Sequence, residues 1–496
     1  MPRFHKRLYT YCLILILVLG LSVISGSTQA QSATTNQNNS TSSQTGNSRS
    51  QSTLLDEEDD EIDDLEFDDS LDDETDDEVS PGASERDTRP SWARSFLDAA
   101  RFSAQYDLGL GLEPSVRVVA NRPGLRLEWE RLLGEHYFVR FDGLVKLMLP
   151  HDHRARALNN KDYLLETNLR EFYAQTSRGR LSLKAGKQIV IWGEAEGSAV
   201  TDVISPRDQS EFLFTSLENS RRGQIMLTTD YFSTRGRWTL ILNPDAQSNR
   251  YPDAGTEYAF PSLAMQPGVS VEDEPLSFAL KNTEIGLRWW KNLGSTDVSI
   301  MAANLLSNDP VYKLEGLDSL GRLVFRTTYP RYYMAGMTFN HSRGNFLFKG
   351  EIAYKTGRCF TSADPFDTDR LADLDLIQAA FAMEYDANGA YRLYLEASNQ
   401  YLPGWTPTIS GARRNESAIV AIWSKSFLND TLEFSYTFGL QLQDKDIFQQ
   451  ASFSYDINDK LNVTSELTII SPQDRLSTLG FFGDKDRLSI SIKYYF

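Results

Sequence analysis

The 496-residue sequence predicts an all-β protein: a transmembrane, antiparallel, up-and-down β-barrel of about 18 strands, within a range of 14–18, preceded by a disordered acidic segment. Three observations point there. The chain ends RLSISIKYYF, in which Leu488, Ile490, Ile492, Tyr494 and Phe496 alternate with Ser489, Ser491, Lys493 and Tyr495. A final strand this regular needs pairing partners at its edges and something apolar over one face, because chain ends otherwise fray. Short and long connections also alternate along the chain, as periplasmic turns and extracellular loops do in a membrane barrel. Beyond the N-terminus, no segment is a continuous apolar run of the ~20 residues a spanning helix requires, whereas a barrel strand needs only about 9–11 residues, apolar at every second position.

Residues 1–30 read as an export signal. Arg3, Lys6 and Arg7 form a basic start, Cys12 to Ile24 is the apolar stretch, and Thr28-Gln29-Ala30 supplies small residues before a cut at Gln31. After that cut Cys359 is the sole cysteine, which excludes an intramolecular disulfide and a cysteine-based metal site.

Residues 31–90 form the second region, read as a disordered periplasmic segment. Its first half is polar low-complexity sequence that buries too little surface to offset chain entropy. Between Asp56 and Glu78 it carries 17 acidic residues and no basic one, which nearly accounts for the formal net charge of -18. Leu55, Ile62, Leu65, Phe67 and Leu71 interrupt the run and leave room for an amphipathic helix formed against a basic partner. A solvated spacer, a docking peptide for a periplasmic partner through residues 56–78, and a cation sponge are the three readings.

The barrel takes residues 91–496. Phe346, Phe348, Gly350, Ile352 and Tyr354 alternate with Asn345, Lys349 and Glu351; similar rows run through 432–441 and 461–469. The aromatic load of Tyr 22, Phe 27 and Trp 8 suits strands and interfacial belts. Tight turns fall near Gly134-Glu135, Arg178-Gly179, Thr234-Arg235, Asn292-Leu293-Gly294, Ser342-Arg343-Gly344, Ala387-Asn388-Gly389, Asn429-Asp430 and Asn458-Asp459. Longer connections are expected at 150–162, 191–222, 245–280, 305–329, 354–373, 400–414 and 471–483, with a short one near Asp444. A two-sheet sandwich has no reason to alternate in this way. The even strand count places both ends of the barrel on the periplasmic side, and the last strand pairs with the first, since an open edge in hydrocarbon leaves backbone groups unsatisfied.

Leu169 to Phe212 stands apart from this background: Gly186-Lys187-Gln188, then Trp192-Gly193-Glu194, Thr201-Asp202-Val203, Ile204 and a Pro206-Arg207-Asp208 turn. The stretch resembles the signature of a family of uncharacterised, porin-like proteobacterial outer-membrane barrels that are often encoded beside RND-type transporters and an outer-membrane lipoprotein. This chain departs from that pattern in Lys187, where Arg is commoner, in Ser205-Pro206 in place of Asn-Pro, and in its acidic segment. The resemblance implies a transport barrel of the Gram-negative outer membrane and supplies no catalytic residue. The last strand likewise resembles the signal read by the barrel-assembly machinery, with Tyr494 two positions before a terminal Phe496.

Physically, a loop bearing Glu194, Glu196, Asp202, Arg207, Asp208, Glu211, Arg221 and Arg222 is too charged for lipid and long enough to fold inward. Such a loop either narrows the channel that a barrel of about 16–18 strands leaves, with opposed cationic and acidic rows setting a transverse field, or caps the outside and pins the wall through Trp192. Lys187, Trp192, Glu194, Glu196, Asp202, Arg207, Asp208, Arg221 and Arg222 are the constriction candidates. Arg140, Asp142, Lys146, Lys349 and Glu351 are lumen candidates by alternation, since each Lys or Arg facing lipid costs roughly 2–4 kcal/mol at mid-membrane.

Other constellations are weaker. His151-Asp152-His153 has no third metal ligand nearby, and Asp364, Asp367, Asp369, Asp373 and Asp375 lack EF-hand spacing. A barrel lipid hydrolase would need His136, His151, His153 or His341 beside an outward serine, and no motif supports one. No nucleotide or zinc-protease pattern occurs, no cofactor is implied, and no basic patch suggests nucleic acid. The functional expectation is a channel for passive or gated passage of small solutes. Its rivals are an outer-membrane station of a multi-protein lipid or hydrophobic-molecule transport system, and the hydrolase. Expected partners are outer-membrane lipids and lipopolysaccharide, the assembly machinery and a periplasmic protein at the acidic segment.

Overall fold

The computed structural model describes residues 99–159, 163–261, 263–475, 477 and 479–496. The export signal and the polar and acidic segment lie outside the described residues.

Alternating apolar and polar residues place the chain in long strands, with glycine or Asn-Asp pairs where it reverses. The first seven strands are β1 (Ala100–Gly111), β2 (Arg117–Leu133), β3 (Tyr137–Met148), β4 (Leu164–Arg178), β5 (Leu181–Gln188), β6 (Gln224–Ser233) and β7 (Gly236–Asn243). Six follow as β8 (Glu284–Asn292), β9 (Thr296–Leu306), β10 (Arg331–Arg343), β11 (Phe346–Ser362), β12 (Leu371–Asp386) and β13 (Arg392–Tyr401). The last five are β14 (Asn415–Phe427), β15 (Leu432–Gln441), β16 (Asp446–Asn458), β17 (Leu461–Ser471) and β18 (Arg487–Tyr495).

Every strand is antiparallel to its sequence neighbours, and β18 pairs with β1 from Ser103↔Tyr495 to Gly111↔Arg487. The amide of Phe496 adds a last bond to the carbonyl of Phe102, 3.1 Å away. The sheet therefore has no free edge, the condition for strands to span hydrocarbon. No helix among the described residues is long and apolar enough to cross a membrane.

Reversals at one rim are tight. Gly179 adopts φ 59° between β4 and β5, and Asn429 and Asp430 adopt φ 56° and 65° between β14 and β15, left-handed conformations that Gly, Asn and Asp accept most readily. The barrel's two ends lie at this same rim. The opposite rim carries the long connections, among them 149–163, 189–223, 244–283, 307–330, 402–414 and 472–486, with the short 442–445 between β15 and β16. A helix of about two turns, α1 (His153–Asn159), and a small sheet of Val269–Glu272, Val311–Leu317 and Leu323–Thr328 sit in these loops.

One expected connection is corrected. The loop read as 354–373 is only 363–370, because β11 and β12 go on pairing as far as Thr361↔Leu371. The chain there remains alternating after it leaves the membrane-spanning height, so periodicity was a poor marker of where the loop begins.

Side-chain direction follows the pleat. On β11, Glu351, Ala353 and Lys355 point inward and are at most 5% exposed, while Ile352 and Tyr354 point outward and are 48% and 44% exposed. Large apolar residues left uncovered on the outside, such as Leu125, Phe172, Ile300, Phe381 and Ile492, form the surface that a bilayer covers.

Candidate functional site

Inward side chains on half of the barrel are buried by a segment of the chain that enters the lumen. Between β5 and β6, residues 189–223 cross to the far wall and end-stop on two carboxylates. Glu351 on β11 accepts hydrogen bonds from the backbone amides of Glu194, Ala195 and Thr201 and from the Thr201 hydroxyl, the last two at 3.0 and 2.8 Å. Glu396 on β13 accepts from the amides of Glu196 and Gly197, at 3.0 and 2.9 Å, and from the Ser198 hydroxyl at 2.7 Å. These partners lie between 150 and 200 residues apart in sequence. Carboxylates suit this task, because charge-assisted bonds to backbone amides are stronger than neutral ones and one oxygen pair serves several donors.

Apolar packing holds the same loop. Trp192, 2% exposed, enters a cluster with Val200 and Ile204 of the loop and Met226, Ile241, Met301, Leu305, Tyr332 and Met334 of the wall. Its ring occupies the space over Gly286 on β8, where a β-carbon would come within 2.6 Å of it. The segment that looked distinctive in sequence is thus the part that builds the loop: Val190 N donates to Ser205 Oγ at 2.9 Å, and Gly193 packs against Asp202 so closely that a β-carbon would meet it at 2.8 Å.

The charges of the loop are paired locally. Asp202 accepts from Arg207 and Arg221 at 3.0 and 2.9 Å, and Arg207 and Arg221 sit opposite each other in an antiparallel bridge. Asp208 pairs with Arg250 at 3.3 Å, and Arg222 donates to the Ser248 carbonyl at 2.7 Å. Glu194 accepts from Asn340 at 2.7 Å and lies 3.7 Å from Arg288; Glu196 lies 3.5 Å from Lys349. Burial pushes both glutamate carboxyls above their ordinary value, against the pull of Asn340 and Arg288 on the first and Lys349 on the second.

A second assembly closes the loop-bearing rim beside β1, β2 and β18. Arg122 donates to Asp152 Oδ2 and Oδ1 at 2.6 and 3.2 Å and approaches Glu211 Oε1 at 2.9 Å, an ion pair without the alignment of a hydrogen bond. His153 Nδ1 accepts from the Glu257 amide at 3.0 Å, so its proton resides on Nε2, which donates to Glu211 Oε2 at 3.0 Å. Arg487 reaches the Tyr258 hydroxyl at 3.2 Å and lies over the Phe214 ring. Burial disfavours the Glu211 charge, yet Arg122, His153 and Arg487 more than offset it and hold this carboxyl well below the usual range. Phe212 stacks on Phe482 at 3.8 Å, with Tyr258, Phe260, Phe448 and Ile470 around them. Three loops therefore seal together over the ends of β16, β17 and β18.

Register and contacts place the remaining sequence candidates. Asp142 points inward and meets Arg126 at 2.8 Å; Arg140 meets Glu130 and Glu171; Lys146 stands inward opposite Gly124 and Glu166. Lys187 does not face the lumen. It pairs in register with Phe172 and Ile225, both exposed outside, while its neighbour Gln188 takes the inward position and hydrogen-bonds the Met226 carbonyl and the Thr228 hydroxyl. At the last position but one of β5 the ammonium reaches the rim, where an outward lysine costs little. Tyr494 and Phe496 stack edge-on at the end of β18.

Sequence reasoning passed over Glu396 and Asn340, although alternation through Tyr394, Glu396 and Ser398 marks the first as inward by the rule that found Glu351. It also read His153 as a poor metal ligand without finding its partners, Glu211 and Glu257, which lie 58 and 104 residues away. Among the described residues no group of His, Cys, Asp and Glu is arranged to hold a metal. His341 shares a hydrogen bond with the Thr296 hydroxyl at the tight-turn rim, at 2.8 Å.

No family profile matches the chain, and no curated protein matches it. Among solved structures, Acinetobacter baumannii OccAB3 aligns over 80% of this chain and 98% of its own, at 10% identity and a TM-score of 0.47. OccAB1 of the same organism aligns over 80% and 96%, at 9% identity and 0.48. The outer membrane protein OpdK from Pseudomonas aeruginosa aligns over 80% and 98%, at 10% identity and 0.45. At these values no family assignment rests on them.

Proposed function

We propose that this chain is a Gram-negative outer-membrane channel for small hydrophilic solutes, narrowed by residues 189–223, with both ends of the barrel in the periplasm. The observation that carries this reading is the docking of that loop on Glu351 and Glu396, which puts a folded segment inside a closed barrel of a size that leaves an aqueous lumen without one. In this reading Glu194, Glu196 and the wall residues Lys349 and Arg288 line the narrowing, while Asp202, Arg207 and Arg221 fix its shape. The wall candidates Arg140, Asp142 and Lys146 add charge to the lumen. An outer-membrane station for lipids would use the apolar patch on β6 to β12, but Trp192, Val200 and Ile204 fill that patch. Association with an inner-membrane RND-type transporter is the further expectation that the sequence resemblance carries.

Planar-bilayer recording tests the channel. The full-length protein is expected to give steady ohmic steps, and a variant with residues 191–222 replaced by a short glycine-serine turn should give larger ones. A parent that never conducts, with current appearing only in the deletion, would favour a plugged transport station instead.

Assembly adds a second expectation. We infer that Tyr494 and Phe496 are read by the assembly machinery, that lipids and lipopolysaccharide surround the apolar outer face, and that residues 56–78 meet a periplasmic partner. Deleting Phe496 is expected to leave protease-sensitive chain in the periplasm, scored by the loss of the fast-migrating unheated gel band. Normal insertion of that variant would remove the terminal signal from the account.

A further inference from the structure

The inward row is covered on one side of the barrel and bare on the other. From β5 to β13 it is buried beneath the loop: Met226, Ser299, Met301, Met334, Thr338, Ala353, Ala380 and Glu396 are all less than 9% exposed. The loop's far end stops at β14, where a β-carbon on Gly197 would come within 2.7 Å of Val420. Beyond it, the inward residues of β15 to β18 and β1 stay half-exposed through most of the barrel's height. Ser435 and Thr437, Gln450 and Ser452, Thr464 and Glu466, Ser489 and Ser491, and Gln105 and Asp107 form this arc. The aromatic seal closes it only at the loop-bearing end of β16 to β18, leaving the mouth beside the short 442–445 connection.

The two sides also differ in how they treat charge. Under the loop each carboxylate is satisfied: Glu351 and Glu396 by the loop, Asp230 by Arg237 at 3.1 Å, and Glu284 by Asn243 at 2.7 Å and the Leu306 amide at 2.8 Å. On the bare arc Glu433 and Glu466 make no salt bridge among the described residues, and Asp107 is held only by Gln105 and Ser491, at 2.6 and 2.9 Å. All three side chains are half-exposed toward the lumen, so water reaches them, and a carboxylate without a cationic partner keeps its charge only where water does. The inward cations of the arc are Lys493, lying over the Tyr495 ring, Arg101 at the rim, and Arg487, whose charge is taken up at the seal by Glu211 at 3.8 Å and which reaches the Tyr258 hydroxyl.

From this asymmetry we propose that the water-filled path follows β15 to β18 and β1, and that it selects small uncharged or cationic hydrophilic solutes over anions. The inference rests on the channel reading and names its solute class. Hydroxyl and amide side chains exchange hydrogen bonds with a passing hydrated solute without holding it, and Asp107, Glu433 and Glu466 leave the wall with a net negative potential that repels anions.

Two measurements on the full-length protein in planar bilayers decide it. In a Cys359→Ser background, single cysteines at Thr437, Ser452 and Thr464 are expected to lose current on treatment with a water-soluble cationic methanethiosulfonate, while cysteines at Thr338, Ala353 and Ala380 are not. In a potassium chloride gradient the reversal potential should report a potassium preference that shifts toward zero in the combined Asp107→Asn, Glu433→Gln, Glu466→Gln variant. Block from the covered side only, a chloride preference, or an unchanged reversal potential in the triple variant would each overturn the inference while leaving a channel. A parent with no conductance removes the channel reading and this inference together.

Discussion

The Glu351→Ala, Glu396→Ala double variant should conduct more than the parent and flicker, because it cuts the loop from the wall. Four donors converge on Glu351 and three on Glu396 from residues 194–201. Each buried donor left without an acceptor costs about 1–3 kcal/mol, and a single loss of that size already lowers the docking equilibrium constant by about 5–150-fold. Glu351→Gln keeps one carbonyl oxygen and turns a second acceptor into a donor, so its effect should fall between parent and alanine. The barrel itself should survive: neither carboxylate takes part in strand pairing, and the unheated gel mobility of the folded form is expected to be unchanged. Parental conductance in the double variant would show that Trp192 and its apolar cluster hold the loop without the carboxylates.

Arg122→Met should be the most destabilising single substitution among the side-chain networks that close the loop-bearing rim. It removes the guanidinium from between Asp152, 0% exposed, and Glu211, 7% exposed, and leaves two carboxylates facing each other in a buried site. Asp152 keeps the amides of Asn121 and Arg154 at 3.2 and 2.9 Å, whereas Glu211 keeps only His153 and the more distant Arg487. Breaking a buried pair from one side costs about 3–5 kcal/mol. The expected readout is a lower temperature for the heat-induced gel shift, together with proteolytic sensitivity of the loops at 149–163 and 244–283.

The same network sets an acid limit. Glu211 titrates lower in the folded chain than in the unfolded one, so its contribution is complete above the unfolded carboxylate value of about 4.3 and is lost as pH falls below it toward the folded value. Loop protection should therefore hold from neutrality to about pH 5 and decline only in stronger acid. A parent whose loops open between pH 7 and 6 would contradict the assignment of Glu211 as the charge that holds them.

Much of this architecture was legible in the chain. Apolar residues at every second position fix which side of each strand meets lipid, since a slip of one residue would turn every such side chain inward. Turn chemistry at Gly179 and Asn429-Asp430 marked the short rim, and the alternation of short and long connections gave the strand number. The candidate loop was visible because its charges fit neither lipid nor a strand. Its mode of attachment was not visible, because Glu351 and Glu396 look like any other polar residue in an alternating strand. Lys187 was misplaced for a related reason: at the end of β5 the register is decided by where the last residue, Gln188, finds hydrogen bonds, which lie on β6.

The sequence by itself determined the closed barrel, its greasy exterior and a long charged loop that lipid could not hold, all consequences of local period, charge and turn residues. Tertiary structure alone decided where that loop lands, which arc of the wall stays wet, and how Arg122, His153, Glu211 and Arg487 meet. Those contacts join segments far apart in the chain, and their strength comes from burial and from many donors converging on one carboxylate, properties that no short stretch of residues possesses until the barrel has closed around it.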